Sequence, residues 1–140
     1  MRIGFIGDIV GRPGRKMVQQ YLHSAKQEFG IDLVIANAEN ASHGFGLTVK
    51  NHQELLNAGV NVFTGGNHTF DKKKEIIALL ESNTVLRPDN YPLGVPGSGV
   101  SIVQVNNEPL AVVNLMGIFT MPTVENPFNW ATKRIQELHE

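Results

Sequence analysis

Short apolar runs alternate with longer stretches of helical periodicity in this chain, and the alternation constrains its fold more than any other feature. Arg2–Gly7, Leu33–Ala36 and Val60–Thr64 are predicted strands. Gly14–Phe29 and Thr48–Ala58 are predicted helices between them, because their apolar residues recur at the spacing of one helix face. Strands that alternate with helices usually pair in parallel. The pattern therefore predicts an α/β fold with a mainly parallel sheet.

The second half of the chain has a different pattern. A third helix is predicted over about Asp71–Leu80, and Arg87–Gly99 is a predicted loop because it holds three prolines and three glycines. Two apolar runs, Val100–Val105 and Leu110–Leu115, flank a pair of asparagines, which predicts a hairpin. A last helix is predicted to open at Asn126. This half therefore adds a hairpin and a helix to the parallel unit.

Composition narrows the classes of function. A length of 140 residues predicts one α/β unit over 1–140, and a formal net charge of -1 gives no strong nucleic-acid signal. The absence of cysteine excludes disulfides and thiolate metal sites, so any metal must be held by oxygen and imidazole. The sequence has neither an apolar run of membrane-span length nor a signal-peptide pattern. We therefore predict a cytoplasmic protein with no membrane partner.

Polar side chains follow each of the three predicted strands at its carboxyl end. Asp8 follows the first strand, Glu39 and Asn40 follow the second, and Asn67 and His68 follow the third. Ligands of open α/β sheets bind outside the carboxyl ends of the strands. The three loops are therefore predicted to meet at one crevice.

These residue types suit a pair of divalent cations, which need a bridging carboxylate and further oxygen or imidazole ligands. Asp8 can serve one metal, and Glu39, with two oxygens, can bridge both. Asn40 and Asn67 offer neutral carbonyl oxygens that add ligands without excess negative charge. His68 is next to a ligand in sequence, and histidine is well suited to donate a proton to a leaving oxygen. The interpretation is a metal centre with His68 as its catalytic acid.

Each residue taken alone has a simpler interpretation. Asp8 could be a helix N-cap or an acceptor for a loop, Asn40 a turn residue and His68 a surface or capping histidine. Only their joint placement favours a metal site. His43, in the loop that holds Glu39, is a further candidate for substrate or metal contact. The other histidines are predicted to face solvent, or to be disordered at the terminus: His23, His52 and His139.

Other phosphate-binding and hydrolase motifs are missing from the sequence. The segment GDIVGRPGRK lacks the Gly-Lys-Ser/Thr ending of a P-loop, and its glycines do not give the Gly-x-Gly-x-x-Gly dinucleotide pattern. No Gly-x-Ser-x-Gly is present, which argues against a serine hydrolase.

Three motifs together resemble the YmdB-like branch of the calcineurin-like metallophosphoesterases: GDIVGRPGR at Gly7–Arg15, NAENASHGFGLT at Asn37–Thr48 and GGNHTFDKK at Gly65–Lys73. VNLMG at Val113–Gly117 and NPF at Asn126–Phe128 also resemble that branch, in the same order. The resemblance covers the chain end to end. It implies the N-terminal half of a metallophosphoesterase-type αββα sandwich, with a mainly parallel sheet, flanking helices and a C-terminal hairpin.

The resemblance also implies an activity, which is hydrolysis of 2′,3′-cyclic nucleotides or related phosphoesters through two divalent metal ions, iron or manganese. The partner would be a nucleotide or another phosphoester small molecule. His68 would protonate the departing ribose oxygen. The metal ligands implied by the resemblance are Asp8, Glu39, Asn40 and Asn67.

The sequence departs from the wider family in places. Val10 stands where the wider family has a histidine ligand, Glu39 replaces the usual aspartate at the bridging position, and His43 stands where a small residue is expected. The family also continues past this point with further histidine ligands that no residue here matches. The resemblance therefore implies a fragment, a truncated product, or a chain that completes itself by association, and we expect the activity of the short chain alone to be impaired.

A second function remains open. A truncated unit would leave one sheet face uncovered, and large exposed apolar patches favour association. The chain could then be a non-catalytic module that pairs with itself through that face. Either function predicts a homo-oligomer if the face is not covered in another way.

Overall fold

A computed structural model describes residues 1–139, and in that range helices flank a parallel sheet that also carries a hairpin. The strands are β1 (Ile3–Ile6), β2 (Leu33–Asn37), β3 (Val62–Thr64), β4 (Val85–Leu86), β5 (Val100–Val105) and β6 (Glu108–Val113). The helices are α1 (Gly11–Phe29), α2 (Val49–Ala58), α3 (Lys73–Leu80) and α4 (Pro127–His139). The α/β fold with a C-terminal hairpin that the sequence predicts is confirmed.

The first four strands form one parallel sheet in the order β1-β2-β3-β4. Ile35 in β2 lies opposite Phe5 on one side and Val62 on the other. Because all four strands run the same way, their carboxyl ends lie along one edge of the sheet. Strand β4 is two residues long, which is too short for a hydrophobic pattern to reveal it.

Local signals define the helix ends. The Thr48 hydroxyl accepts a hydrogen bond from the Asn51 backbone N–H at 3.2 Å, so Thr48 is the predicted N-cap of α2. Gly30 ends α1 in the left-handed conformation, with φ of 60°. Helix α1 begins at Gly11, before the predicted start, because Pro13 fits a first turn where its missing N–H has no partner to lose.

The central strand β2 is buried on both faces of the sheet. Val34 and Ala36 pack against the helices, in a core that includes Leu22, Leu55, Phe63 and Ile76. Leu33 and Ile35 point to the opposite face, where they pack with Val105 and Val112 of the hairpin. The hairpin therefore covers part of the face that the helices leave free.

The predicted hairpin has the predicted turn. Strands β5 and β6 pair antiparallel, with Val105 opposite Glu108. Asn106 and Asn107 connect them with φ of 53° and 66°. Two consecutive left-handed residues match a type I′ turn, and asparagine is one of the few residues that tolerates this conformation.

Strand β1 is an edge strand with little cover on the hairpin side. Phe5 is 66% exposed and Ile3 is 42% exposed. An open cavity of about 520 Å³ lies between these two side chains and the β6 residues Leu110 and Val112. Across the described part of the chain, no helix combines the length and the apolar character needed to cross a membrane.

Two predictions about histidines are wrong. His52 is half-buried, with its ring 4.5 Å from the ring of Phe63, because it lies one turn before the buried Leu55 on the same helix face. His139 is the last residue of α4 and is exposed, not disordered. His23 is exposed and lies 3.1 Å from the Gln27 amide nitrogen, as expected for a solvent-facing residue.

Candidate metal centre

Backbone hydrogen bonds bring the loops after β1, β2 and β3 together. The Ile9 N–H donates to the Asn37 carbonyl at 3.0 Å, and the Ala38 N–H donates to the Thr64 carbonyl at 3.0 Å. These bonds continue the parallel ladder past the ends of the strands. The three loops therefore leave the sheet from adjacent points, as predicted from the strand assignments.

Asp8 and Asn40 form a direct side-chain pair. The Asn40 Nδ2 donates to both carboxylate oxygens of Asp8, at 3.0 and 2.9 Å. The backbone carbonyl of Asn40 also accepts from the Gly11 N–H at 2.9 Å, which fixes the start of α1 against the second loop. Asp8 therefore accepts hydrogen bonds, as its simpler interpretation expects. Its donor is the side chain of another predicted ligand, Asn40, and not a backbone N–H of the loop.

Glu39 connects the second loop to the third. Its Oε2 accepts from the His68 backbone N–H at 3.0 Å. The carboxylate packs so closely on Gly66 that a Cβ there would overlap it. Glycine at position 66 therefore leaves room for the Glu39 carboxylate at the base of the third loop.

Glu39 and Asn67 line one open cavity of about 360 Å³, and Asn37 lines it as well. The lining residues after β6 include Asn114 and Met121. The volume lies within the range of small-molecule sites. The lining therefore combines polar and apolar side chains, and Asp8, Asn40 and His68 are not part of it.

Two side-chain oxygens at this site have no partner. The Oδ1 atoms of Asn37 and Asn40 are buried, and neither accepts a hydrogen bond within residues 1–139. A buried unpaired polar group costs about 1–3 kcal/mol, and a divalent cation can satisfy such an oxygen. Asn40 is also bonded to the Asp8 carboxylate, and Asn37 lines the cavity together with Glu39, so each of the two oxygens has a carboxylate on a neighbouring residue of the site. The residues therefore fit a divalent cation.

Among the residues that the structure describes, carboxylate and imidazole side chains are too few and too scattered to hold a metal without the asparagine oxygens. Within residues 1–139, no three His, Asp or Glu side chains lie together as a group that could hold a metal. A divalent ion usually takes about six oxygen ligands, more than the side chains named here provide for two ions. The number and identity of the metals stay predictions.

His68 is held by two side chains. Its Nδ1 lies 2.7 Å from Oδ2 of Asp71, and its ring contacts Phe45 edge-on, with ring centroids 5.0 Å apart. Because the carboxylate accepts the Nδ1 proton, Nε2 is the nitrogen left to exchange a proton with a ligand. Neither Asp71 nor Phe45 was predicted as a site residue, although Asp71 follows His68 by only three positions.

His43 is exposed, and it is not part of the cavity that Glu39 and Asn67 line. Its backbone φ is 61°, in the left-handed region that favours glycine. This conformation accounts for the expectation of a small residue at that position. The proposed contact of His43 with substrate stays a prediction.

Two further residues support the Gly65-Gly66 turn from distant parts of the chain. The Asn114 amide donates to the Gly65 carbonyl at 3.1 Å, and the Tyr91 hydroxyl lies 3.4 Å from the Gly66 carbonyl. Burial raises the pKa of Tyr91, and the nearby carboxylates of Glu39 and Asp71 add to the effect. Tyr91 therefore stays a neutral donor.

The fold and the site define an α/β protein with oxygen-bearing side chains at the carboxyl ends of a parallel sheet. A crystal structure of a novel phosphatase from Mycoplasma pneumoniae superposes with a TM-score of 0.90 at 32% identity, covering 96% of this chain and 50% of that one. A hypothetical protein from Thermus thermophilus gives 0.91 at 42% identity, covering 98% and 53%. The chain belongs to the YmdB-like protein family, whose model matches residues 5–140.

Curated relatives agree with this assignment. The 2′,3′-cyclic-nucleotide 2′-phosphodiesterase of Bacillus subtilis (strain 168) is 43% identical over 98% of this chain and 52% of its own length. A putative phosphatase/phosphodiesterase of Mycoplasma pneumoniae is 35% identical over 81% of this chain and 42% of its own length. The chain spans about half the length of the curated relatives it matches. The resemblance to the YmdB-like family predicted from sequence is confirmed.

Proposed function

We propose that this chain contributes the metal-binding loops of a phosphoesterase that hydrolyses 2′,3′-cyclic nucleotides or related phosphodiesters. The observation that carries the proposal is that the amide oxygens of Asn37 and Asn40 are buried without a partner in residues 1–139, where Asn40 bonds the Asp8 carboxylate and Asn37 lines a cavity with Glu39 and Asn67. The name of the Bacillus subtilis relative supports the substrate class.

The four proposed metal ligands come from the loops that follow β1, β2 and β3. Asp8 and Asn40 approach from the first two loops as a bonded pair, Glu39 lies between the second and third loops, and Asn67 lines the cavity. Two divalent cations, iron or manganese, are the proposed cofactors. Such cations would polarise the phosphoryl oxygens and make a water nucleophile available near neutral pH.

His68 is the proposed acid. Cleavage of a cyclic phosphodiester by water leaves a ribose oxygen that needs a proton, and the Nε2 of His68 would supply it. Asp71 holds the opposite ring nitrogen and Phe45 limits rotation of the ring. His68 is therefore oriented before the substrate arrives, which reduces the entropic cost of the proton transfer.

The direct test pairs metal binding with turnover. Calorimetric titration with Mn²⁺ and hydrolysis of 2′,3′-cyclic AMP would be measured for the chain and for its Asp8→Asn and Glu39→Gln variants. Both variants are expected to lose metal affinity and any manganese-dependent activity. Glu28→Gln, an exposed carboxylate on α1, serves as the matched control and is expected to change neither. Metal-independent hydrolysis would count against the proposal.

A second candidate is a non-catalytic module that pairs with a second copy through its uncovered sheet face. The exposed Phe5 and Ile3 beside an open apolar cavity favour it. This candidate predicts a stable homo-oligomer without turnover, and light scattering after size exclusion measures the mass. A monodisperse monomer would rule it out. The cytoplasmic location expected from the sequence stays a prediction.

A further inference from the structure

One buried side chain holds both ends of the segment 117–124, which connects β6 to α4. The Asn90 amide donates to the Met116 and Glu125 carbonyls, each at 2.8 Å, and its Oδ1 accepts from the Met116 N–H at 3.0 Å. The Glu125 N–H donates back to the Asn90 carbonyl at 2.9 Å. Segments whose ends meet in this way are compact loops that frequently carry function. We call residues 117–124 the anchored loop.

The tip of the anchored loop is apolar and exposed. Phe119 is 86% exposed and Ile118 is 58% exposed. Thr120 has a φ of 58°, in the left-handed region, which a β-branched residue rarely adopts. Such conformations concentrate at ligand-binding sites, where the surrounding structure enforces them. The hydrogen bonds of Asn90 fix the two ends of the loop that carries this tip.

The anchored loop borders the candidate metal centre. Gly117 and Met121 line the same cavity as Glu39 and Asn67. Phe119 lies two residues from Gly117 and from Met121, so its Cα is within about 7.6 Å of theirs, although Phe119 itself does not line the cavity. An exposed aromatic ring thus lies near a cavity whose lining includes Glu39 and Asn67.

We propose that the anchored loop recognises the nucleobase of the substrate, with Phe119 as the stacking surface. This inference rests on the proposed function, which puts the phosphate beside Glu39 and Asn67. A nucleotide has a charged phosphate and a flat base at opposite ends of a ribose; the cavity holds the proposed metal ligands for the phosphate, and the adjacent loop carries an exposed aromatic ring for the base. Stacking on an aromatic ring tolerates every base, so the loop gives a preference for nucleotides with little choice among bases.

The test separates the base from the phosphate by direct binding. Calorimetry in the presence of Mn²⁺ would compare adenosine 3′-phosphate with inorganic phosphate, for the chain and for Phe119→Ala and Phe119→Leu. Phe119→Ala is expected to weaken nucleotide binding by about tenfold or more and to leave phosphate binding within about twofold. Phe119→Leu should fall between, since it keeps apolar contact without an aromatic face. Phe128→Ala, an 81% exposed phenylalanine on α4, is the matched control and should bind like the parent chain.

Each other outcome is decisive. Nucleotide binding no tighter than phosphate binding, or unchanged by Phe119→Ala, overturns the inference and leaves the proposed function standing. If Phe45→Ala weakens nucleotide binding and Phe119→Ala does not, the base stacks on the ring beside His68. That result also overturns the inference. An oligomer that dissociates in Phe119→Ala with nucleotide affinity unchanged would make the loop a contact between copies. If the manganese-loaded chain does not bind phosphate at all, the proposed function itself fails.

Discussion

The Asn40 Nδ2 donates to both carboxylate oxygens of Asp8, across 32 positions of sequence. This pair joins the loop after β1 to the loop after β2, and it holds the carboxylate of one proposed ligand against the amide of another. The Asn40 Oδ1, on the same side chain, has no donor within residues 1–139. One residue therefore orients a carboxylate with one atom, and its other amide atom is the proposed cation ligand.

Asn40→Asp should make the stability of the protein depend on metal. The change places a second carboxylate against Asp8, and like charges about 4 Å apart repel by about 1 kcal/mol in a water-like environment. We expect a lower Tm than the parent in EDTA and a larger gain on adding Mn²⁺. Saturating a site at about 100 times its Kd stabilises the folded state by about 2.7 kcal/mol. Thermal unfolding with and without Mn²⁺ measures both effects, and an equal response to metal in parent and variant would contradict the assignment.

Gly66→Ala should weaken metal binding through the position of a neighbouring side chain. A Cβ at residue 66 would overlap the Glu39 carboxylate, which must move away from the base of the third loop. The cost of such overpacking is about 1–3 kcal/mol. Gly7→Ala is the control, because a Cβ at residue 7 meets no atom within 4 Å. Calorimetric Mn²⁺ affinities should fall for the first variant only; equal affinities would show that the position of Glu39 is unimportant.

Asp71→Asn should slow the hydrolysis of substrates whose leaving group needs a proton more than the hydrolysis of substrates whose leaving group does not. Asp71 fixes the Nδ1 of His68, and general acid catalysis contributes about 10²–10⁴-fold. We expect a kcat loss of about tenfold or more for 2′,3′-cyclic AMP and a smaller loss for a p-nitrophenyl ester, whose leaving group departs without a proton. Glu81→Gln, an exposed carboxylate at the end of α3, should behave as the parent. Equal losses on both substrates would indicate a purely structural role for Asp71.

His52 should make the protein less stable in acid. Burial lowers the pKa of His52 below its ordinary 6.5, and its Nε2 has no partner within the described residues. The unfolded chain therefore binds the proton more readily than the folded one, so stability is lost as pH falls below about 6.5 and is retained above it. His52→Leu should lose less Tm between about pH 7.5 and pH 5 than the parent. His23→Gln, which changes an exposed histidine, should follow the parent; a parent-like slope in His52→Leu would refute the assignment.

Much of the fold could be predicted because its signals are local. The caps at Thr48 and Gly30 and the Asn106-Asn107 turn depend on residues next to each other in sequence, and the structure has each of them. The two-residue β4 could not be predicted, because it is too short for a hydrophobic pattern and is defined by its pairing with β3. The partial burial of His52 was not predicted, because its polar side chain favours solvent although it lies one turn before the buried Leu55.

The candidate site also has residues that could be predicted from sequence and residues that could not. Asp8, Glu39 and Asn67 could be found because residues at the carboxyl ends of successive parallel strands must lie along one edge. Asn114 and Asn90 could not, because their hydrogen bonds reach segments that lie 49 and 35 positions away. Asparagines in a loop and at a strand end resemble turn residues until the fold shows what they hold. The sequence thus predicted the proposed ligands, but not the groups that position the surrounding loops.

The most direct test of the metal centre is to locate Mn²⁺ by its paramagnetic broadening of the backbone amide NMR signals of the ¹⁵N-labelled chain. We expect substoichiometric Mn²⁺ to broaden first the amides of the three strand-end loops, those of Asp8, Glu39, Asn40 and Asn67. The Asp8→Asn variant should need more metal for the same effect. Broadening that begins elsewhere in the chain, or that leaves these four amides sharp at saturation, would show that these residues do not bind the metal.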